Sequence, residues 1–217
     1  MLFLAFQKFD GSNFVEVLTI FCLGTLAFIT AIAVHEANHA LVATVLGDDT
    51  PRRYGRLSLN PMRHVDKTGL VVFMLAAVGW GWTPVNPQNL RPNPRTGNAI
   101  VASAGPLANL GLALLFSLPL WADPKPPEII RQFLSFAVWL NLLLFVLNFI
   151  PLPPLDGFTV LVGLLPQNLA AAAKRLEPYG LGILFAVFFL LPFAFNINPL
   201  FAIFEPVCRA FGFPIRC

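Results

Sequence analysis

Charged residues are scarce in this chain, and their scarcity excludes most soluble folds. Only 12% of the 217 residues are Asp, Glu, Lys or Arg, whereas 57% are hydrophobic and the mean hydropathy is +0.72. Soluble domains carry about twice that share of charge. The net charge of +3 is too small and too dispersed to indicate a nucleic-acid partner. The composition predicts an all-α polytopic protein of the lipid bilayer.

Cysteine is rare as well. Cys22, Cys208 and Cys217 are far apart and form no CxxC pair, so they predict neither a disulfide framework nor a thiolate metal site. A cleavable signal peptide is not expected, because the apolar start at 1–6 is short and lacks a basic flank.

Apolar runs predict about four to five transmembrane helices. Four segments approach or exceed the ~20 residues that cross a hydrocarbon core: 13–46, 98–121, 131–150 and about 179–204. The stretch 70–84 is too short to span and is broken by Gly and Trp, which predicts a re-entrant or short β hairpin. We expect residues 1–217 to form a single membrane-embedded domain, with its core motifs at 14–165.

The first span contains an H-E-x-x-H pattern. His35 and His39 lie four residues apart, so on a helix both imidazoles face one side and can bind one zinc ion. Glu36 lies about 100° further round the helix, where a general base can reach a zinc-activated water. The alternative is a set of buried structural polar residues. Ionisable groups in a membrane helix are costly and usually mark function, which favours the zinc site.

A catalytic zinc ion needs a third protein ligand, and two residues are candidates. Asp156 follows the proline-broken segment 151–155, a setting that suits a cavity-lining residue. Its alternative role is to cap the short helix that follows. His64 lies in a basic loop and is either a ligand or an ordinary loop histidine. The residues alone leave both candidates open.

Three ordered motifs resemble those of the site-2 protease family, which are M50-like intramembrane zinc metalloproteases. The motifs are His35-Glu36-x-x-His39 in a membrane helix, Gly105-Pro106-Leu107-Ala108-Asn109 in the next full span, and Asn148-Phe149-Ile150-Pro151-Leu152-Pro153-Pro154-Leu155-Asp156-Gly157 at the end of the third. Their order and spacing agree over roughly residues 14–165. The chain is similar to the compact form of the family, without a PDZ or CBS domain.

The resemblance implies a ligand set and a base. It implies that His35, His39 and Asp156 bind one Zn²⁺ per chain and that Glu36 is the catalytic base. It further implies that Asn148 lies near the metal and orients the substrate or stabilises the oxyanion. The alternative for Asn148 is a polar contact between helices.

The resemblance implies that two further residues lie close to the site, and a third remains a candidate from the sequence itself. Gly105 and Asn109 would line the helix packed against the metal, although close helix packing alone explains a glycine. His64 is a candidate for substrate contact or packing. We also expect the predicted hairpin to lie near the active site.

The implied activity is that of a zinc metalloendopeptidase of the EC 3.4.24 type. Such an enzyme hydrolyses transmembrane protein substrates in regulated intramembrane proteolysis. One alternative is a membrane zinc transporter or carrier, which a single ligand cluster at one depth disfavours. The other is a catalytically inactive scaffold, which the intact ligands and base disfavour.

Basic residues predict the orientation of the chain. Nine of its 14 Lys and Arg residues fall in the segments 47–69, 85–98 and 166–178. Cytoplasmic loops carry such an excess. We therefore expect a multi-pass integral membrane protein with its N-terminus outside and its active site toward the cytoplasm.

Overall fold

The computed structural model describes residues 14–64, 81–213 and 215. It is 76% helical and contains no sheet within the described residues, which confirms the all-α prediction. The expected hairpin at 70–84 lies largely outside the described residues. The α-helices in chain order are α1 (Phe14–Val45), α2 (Thr50–Arg53), α3 (Pro94–Trp121), α4 (Glu128–Phe149), α5 (Asp156–Leu164), α6 (Gln167–Lys174), α7 (Gly180–Phe185), α8 (Leu191–Phe195) and α9 (Pro199–Phe211).

Shorter helical turns connect several of these helices. Turns of 3₁₀ helix cover Pro61–Arg63, Pro87–Asn89 and Glu177–Tyr179, and a π-helical turn at Ala186–Leu190 joins α7 to α8.

Four helical segments in the described part are long and apolar enough to cross a membrane, which confirms the polytopic prediction. They are Val17–Val45, Pro94–Trp121, Glu128–Phe149 and Gln167–Phe195. The first three bury 39–44% of their most apolar window inside the protein, whereas the fourth buries only 6%. The first three therefore form the packed bundle, and the fourth presents most of its surface to the surroundings.

The first helix ends because glycine permits a left-handed turn. Gly47 has a φ of 105°, a region that residues with a side chain avoid. The amide of Asp48 donates to the carbonyl of Ala43 at 2.9 Å, and that of Gly47 donates to Thr44 at 3.1 Å. This is a Schellman closure, which satisfies the last carbonyls of the helix. It fixes where α1 stops, six residues after His39.

Small residues let α1 approach α4 closely. Ala27 and Ala31 of α1 are buried against Ala137 and Leu140 of α4, with Phe28 filling the space beside them. Small side chains at such interfaces allow helix backbones to come near each other inside a membrane. The close approach places the histidine face of α1 against its neighbours.

The C-terminal region differs from its prediction. The span expected at about 179–204 is interrupted at Asn196, which has a φ of 53° and ends α8. The helix α9 that follows buries Phe204 and Cys208 against α4. Cys208 is disulfide-bonded, although the spacing of the cysteines predicted no disulfide framework.

Candidate metal centre

The first helix brings two histidine rings together. His35 and His39 are both buried, and their Nε2 atoms lie 3.0 Å apart. The ring centroids are 4.7 Å apart, and the ring planes are inclined by 80°. The four-residue spacing on a helix produces this arrangement. Both Nε2 atoms therefore face one point beside α1.

Asp156 completes the cluster from the start of α5. Its Oδ2 lies 3.1 Å from Nε2 of His35 and 3.4 Å from Nε2 of His39. Leu155 occupies the cap position of α5, and the Asp156 carboxylate faces the histidines. In the described part of the chain, these three residues are the group of His, Cys, Asp and Glu side chains that can hold a metal ion.

A close backbone contact fixes the position of Asp156. A Cβ atom added to Gly157 would lie 2.4 Å from the carbonyl oxygen of Phe149 and 2.6 Å from that of Ile150. Only glycine allows the start of α5 to lie this close to the end of α4. The proline-containing stretch 150–155 therefore makes a tight turn between the two helices, which brings Asp156 to the histidines.

Hydrogen bonds on the far side of each ring determine which nitrogen faces the cluster. Nδ1 of His39 lies 2.7 Å from the carbonyl oxygen of Val101, which can only accept, so this nitrogen carries the proton. Nδ1 of His35 lies 2.6 Å from Oδ1 of Asn109. Both rings then direct an Nε2 lone pair toward the Asp156 carboxylate. A cation placed between these three electron-pair donors would satisfy all of them at once.

The third helix leaves room for that cation. A Cβ atom at Gly105 would lie 2.4 Å from Nε2 of His39 and 2.6 Å from Nε2 of His35. An alanine side chain would therefore occupy the space in front of both donor atoms. Two imidazole nitrogens and one carboxylate oxygen, with a space on one side, fit the ligand set of a catalytic zinc ion.

Glu36 is buried next to the cluster and under the segment that begins at Gly81. A Cβ atom at Gly81 would lie 2.6 Å from Cγ and 2.7 Å from Oε1 of Glu36. The hydroxyl of Thr83 donates to the backbone oxygen of Glu36 at 3.1 Å. The segment 81–83 therefore covers the glutamate and fixes its surroundings.

His64 and Asn148 lie apart from these contacts. His64 is fully buried in the loop, where its Nε2 donates to the carbonyl oxygen of Ser58 at 2.5 Å. The amide of Asn148 donates to the carbonyl oxygen of Leu144 on its own helix at 3.0 Å. His64 is absent from the metal-holding group of the described residues, which favours Asp156 as the third ligand.

A buried aspartate organises the loop that follows α1. Asp48 accepts hydrogen bonds from the amide and hydroxyl of Thr50, from the amide of Asn86 at 2.7 Å and from the side chain of Asn89 at 3.1 Å. Burial alone would raise the pKa of Asp48, but the hydrogen bonds from Thr50, Asn86 and Asn89 outweigh it and hold the pKa below its ordinary value. No motif in the sequence indicates this role of Asp48.

Comparisons with known proteins agree with the geometry. The sequence model described as Peptidase family M50 matches residues 123–191. The chain is 38% identical over 177 residues to "Putative zinc metalloprotease YwhC" of Bacillus subtilis, which covers 77% of this chain and 80% of that protein. It is 32% identical over 150 residues to "Putative zinc metalloprotease Rip2" of Mycolicibacterium smegmatis, with 65% of this chain and 57% of the relative covered.

A third relative extends the match along the chain. "Putative zinc metalloprotease Rip2" of Mycobacterium tuberculosis is 29% identical over 182 residues, covering 80% of this chain and 68% of the relative. No solved structure matches the chain significantly.

Proposed function

The chain belongs to Peptidase family M50, the site-2 protease family, and on this premise we propose that His35, His39 and Asp156 hold its zinc ion. The protein is an intramembrane zinc metalloprotease. The observation that carries the ligand assignment is the convergence of two Nε2 atoms and one carboxylate oxygen within 4.8 Å of one another. We assign it to the zinc metalloendopeptidases of the EC 3.4.24 type.

Zinc, when bound, supplies Lewis-acid polarisation of the scissile carbonyl and lowers the pKa of water. Glu36 accepts the proton of the attacking water and passes it to the leaving amine. Its burial beneath Gly81 keeps bulk water away from the carboxylate, which limits proton exchange between Glu36 and the solvent outside the reaction. Asn148 stabilises the oxyanion once its amide turns from the Leu144 carbonyl to the substrate.

The substrate in this proposal is a transmembrane protein segment. A helix hides its scissile carbonyl and amide groups in its own hydrogen bonds. The segment must therefore unwind locally before one of its peptide bonds can meet a cluster buried between helices. The buried position of His35 and His39 and the apolar exterior of the bundle support this substrate class over soluble peptides.

We place the site toward the cytoplasm. Four alternating spans put the segments 46–93 and 150–166 on one face. The first of these segments holds five arginines, Arg52, Arg53, Arg56, Arg63 and Arg91, whereas the second holds none. The helix α9 follows the fourth span and therefore lies on the opposite face. Its Cys208 is disulfide-bonded, which suits an oxidising compartment outside the cytoplasm.

Neither alternative function gains support. A transporter needs ligands along a path, whereas the described residues place one metal-holding group at one depth. An inactive scaffold needs no base, yet Glu36 is retained beside the cluster. The relatives are named as metalloproteases.

The test compares three variants of the purified, zinc-loaded protein on a model transmembrane substrate. Glu36→Gln should keep its zinc and lose about 10²–10⁴-fold in cleavage rate, the range that a general base contributes. His35→Ala should lose both zinc and cleavage. His64→Gln is the matched control, since it removes a buried histidine outside the cluster and should keep its zinc. Equal cleavage by wild type and Glu36→Gln would sink the proposal.

A further inference from the structure

Two asparagine side chains link the metal centre to the middle of the bundle. Asn109 of α3 and Asn141 of α4 are both fully buried. Unpaired amides in such a place are costly, because the bilayer interior offers no water to satisfy them. Each of them is paired, and the pairs run in sequence from His35 to α4. Asn141 has no place in the motifs of the sequence.

The hydrogen-bond partners fix the direction of each amide. The Nδ2 of Asn141 donates to the carbonyl oxygen of Ala137 at 2.8 Å, so its Oδ1 faces Asn109. The Nδ2 of Asn109 donates to that Oδ1 at 2.9 Å and to the carbonyl oxygen of Ala31 at 3.2 Å. Oδ1 of Asn109 is therefore the atom that faces His35. Because this oxygen only accepts, Nδ1 of His35 carries the proton and Nε2 keeps its lone pair.

We propose that Asn141 is a positioning residue that acts through Asn109 to hold His35 in the tautomer that binds zinc through Nε2. The proposal rests on the ligand assignment made above. If the Asn109 amide turned over, its NH₂ group would face Nδ1 of His35. The imidazole proton would then move to Nε2, where it would occupy the metal side of the ring.

We call the hydrogen-bonded chain Asn141–Asn109–His35 the relay. A comparison with His39 shows why His35 needs it. The partner of His39 is the backbone oxygen of Val101, which cannot turn over and can only accept. The partner of His35 is an amide that presents either an acceptor or a donor. Asn141 removes this ambiguity together with the Ala31 carbonyl, because its own donor is engaged by Ala137 and its Oδ1 makes the shorter of the two hydrogen bonds to the Asn109 amide. Partners of metal-bound histidines typically change metal affinity by about 10–100-fold when they are removed.

Zinc affinity provides the first readout, measured by competition with a chelating dye on the full-length protein in detergent. We expect Asn109→Leu and Asn141→Leu each to weaken binding by about 10–100-fold. The double variant should bind no more weakly than Asn109→Leu alone, because both substitutions break one relay. Losses that multiply in the double variant would show that Asn141 acts independently, and would overturn the proposal.

Two more variants separate positioning from folding. Asn141→Asp, in its neutral form, keeps an acceptor for Asn109 and a donor for Ala137, so it should keep zinc affinity within about threefold of wild type. A loss as large as that of Asn141→Leu would contradict the relay. Ser117→Ala is the matched control. Ser117 is buried on the same helix as Asn109 and donates only to Leu114 of that helix, so its removal should leave zinc binding unchanged.

Nitrogen-15 NMR of the imidazoles in the zinc-free protein provides the second readout. The chain has three histidines, and their oxygen partners assign a proton to Nδ1 of His35 and of His39 and to Nε2 of His64. Asn141→Leu should weaken the Nδ1–H signal of His35 and leave the other two histidines unchanged. An unchanged His35 signal would refute the relay. If His35→Ala itself keeps its zinc, the ligand assignment fails instead.

Discussion

Replacing Gly105 by alanine tests whether the space beside α3 is the metal position. The added Cβ would lie 2.4 Å from Nε2 of His39 and 2.6 Å from Nε2 of His35. Ordinary contacts between such atoms begin near ~3.4 Å. The rings would therefore have to retreat by about 0.8–1 Å, whereas metal–ligand distances tolerate only about 0.2 Å.

The rings have little freedom to retreat. Turning His39 away would stretch its 2.7 Å hydrogen bond to Val101, and turning His35 away would stretch its 2.6 Å hydrogen bond to Asn109. We expect Gly105→Ala to weaken zinc binding by at least 100-fold, which corresponds to about 2.7 kcal/mol. Cleavage of a transmembrane substrate should fall in parallel at limiting zinc.

The same helix supplies the control. A Cβ atom at Gly111 would meet nothing within 4 Å, so Gly111→Ala should keep wild-type zinc affinity and thermal stability. The assay is competition with a chelating dye, accompanied by a thermal unfolding scan of each variant. Zinc binding by Gly105→Ala within about threefold of wild type would refute the reasoning, since it would show that the histidines do not meet the metal on this side.

Three further outcomes follow from other contacts. Gly81→Ala should lower the cleavage rate and keep zinc, because the added Cβ would lie only 2.7 Å from Oε1 of Glu36 and would displace that carboxylate. A wild-type cleavage rate would contradict this. Asp48→Asn should lower the free energy of unfolding by about 1–3 kcal/mol above pH 4. That difference should vanish as acid protonates the wild-type carboxylate, whose folded-state pKa is lowered. His64→Gln should retain full metal content, and metal loss would return His64 to the ligand set.

The spacing of residues along the sequence predicts the two ligands on α1 but does not decide the third ligand. The spacing of His35 and His39 is enough to place both rings on one face of a helix. Asp156 is different, because its residue type and the preceding prolines suit a cap as well as a ligand. Only the fold decides between them, by bringing the start of α5 within 3.1 Å of His35.

The supporting residues depend on contacts between distant helices. Asn141 looks like a lone polar residue in an apolar helix, and its relation to His35 passes through a residue 32 positions earlier in the chain. Gly81 looks like part of a turn, yet its hydrogen atom is what lets the loop approach Glu36. Spacing along one helix carries no information on such contacts. The predicted bounds of the C-terminal span differ from those in the structure because Asn196 adopts a left-handed conformation within an apolar run. The apolar composition of that run does not reveal the break.

The ends of three helices determine the depth of the site. His39 lies six residues before the end of α1, about 9 Å along the helix. Gly105 lies 11 residues after the start of α3, about 16 Å along it. Asp156 is the first residue of α5 and lies seven positions after Phe149, the last residue of α4. All three ends belong to the same face of the bundle, since the spans alternate. Measured from these helix ends, the cluster lies about 9–16 Å along the bundle, which is less than the ~30 Å thickness of a hydrocarbon core. Under the proposed function, a substrate helix would have to unwind over the part that reaches this depth.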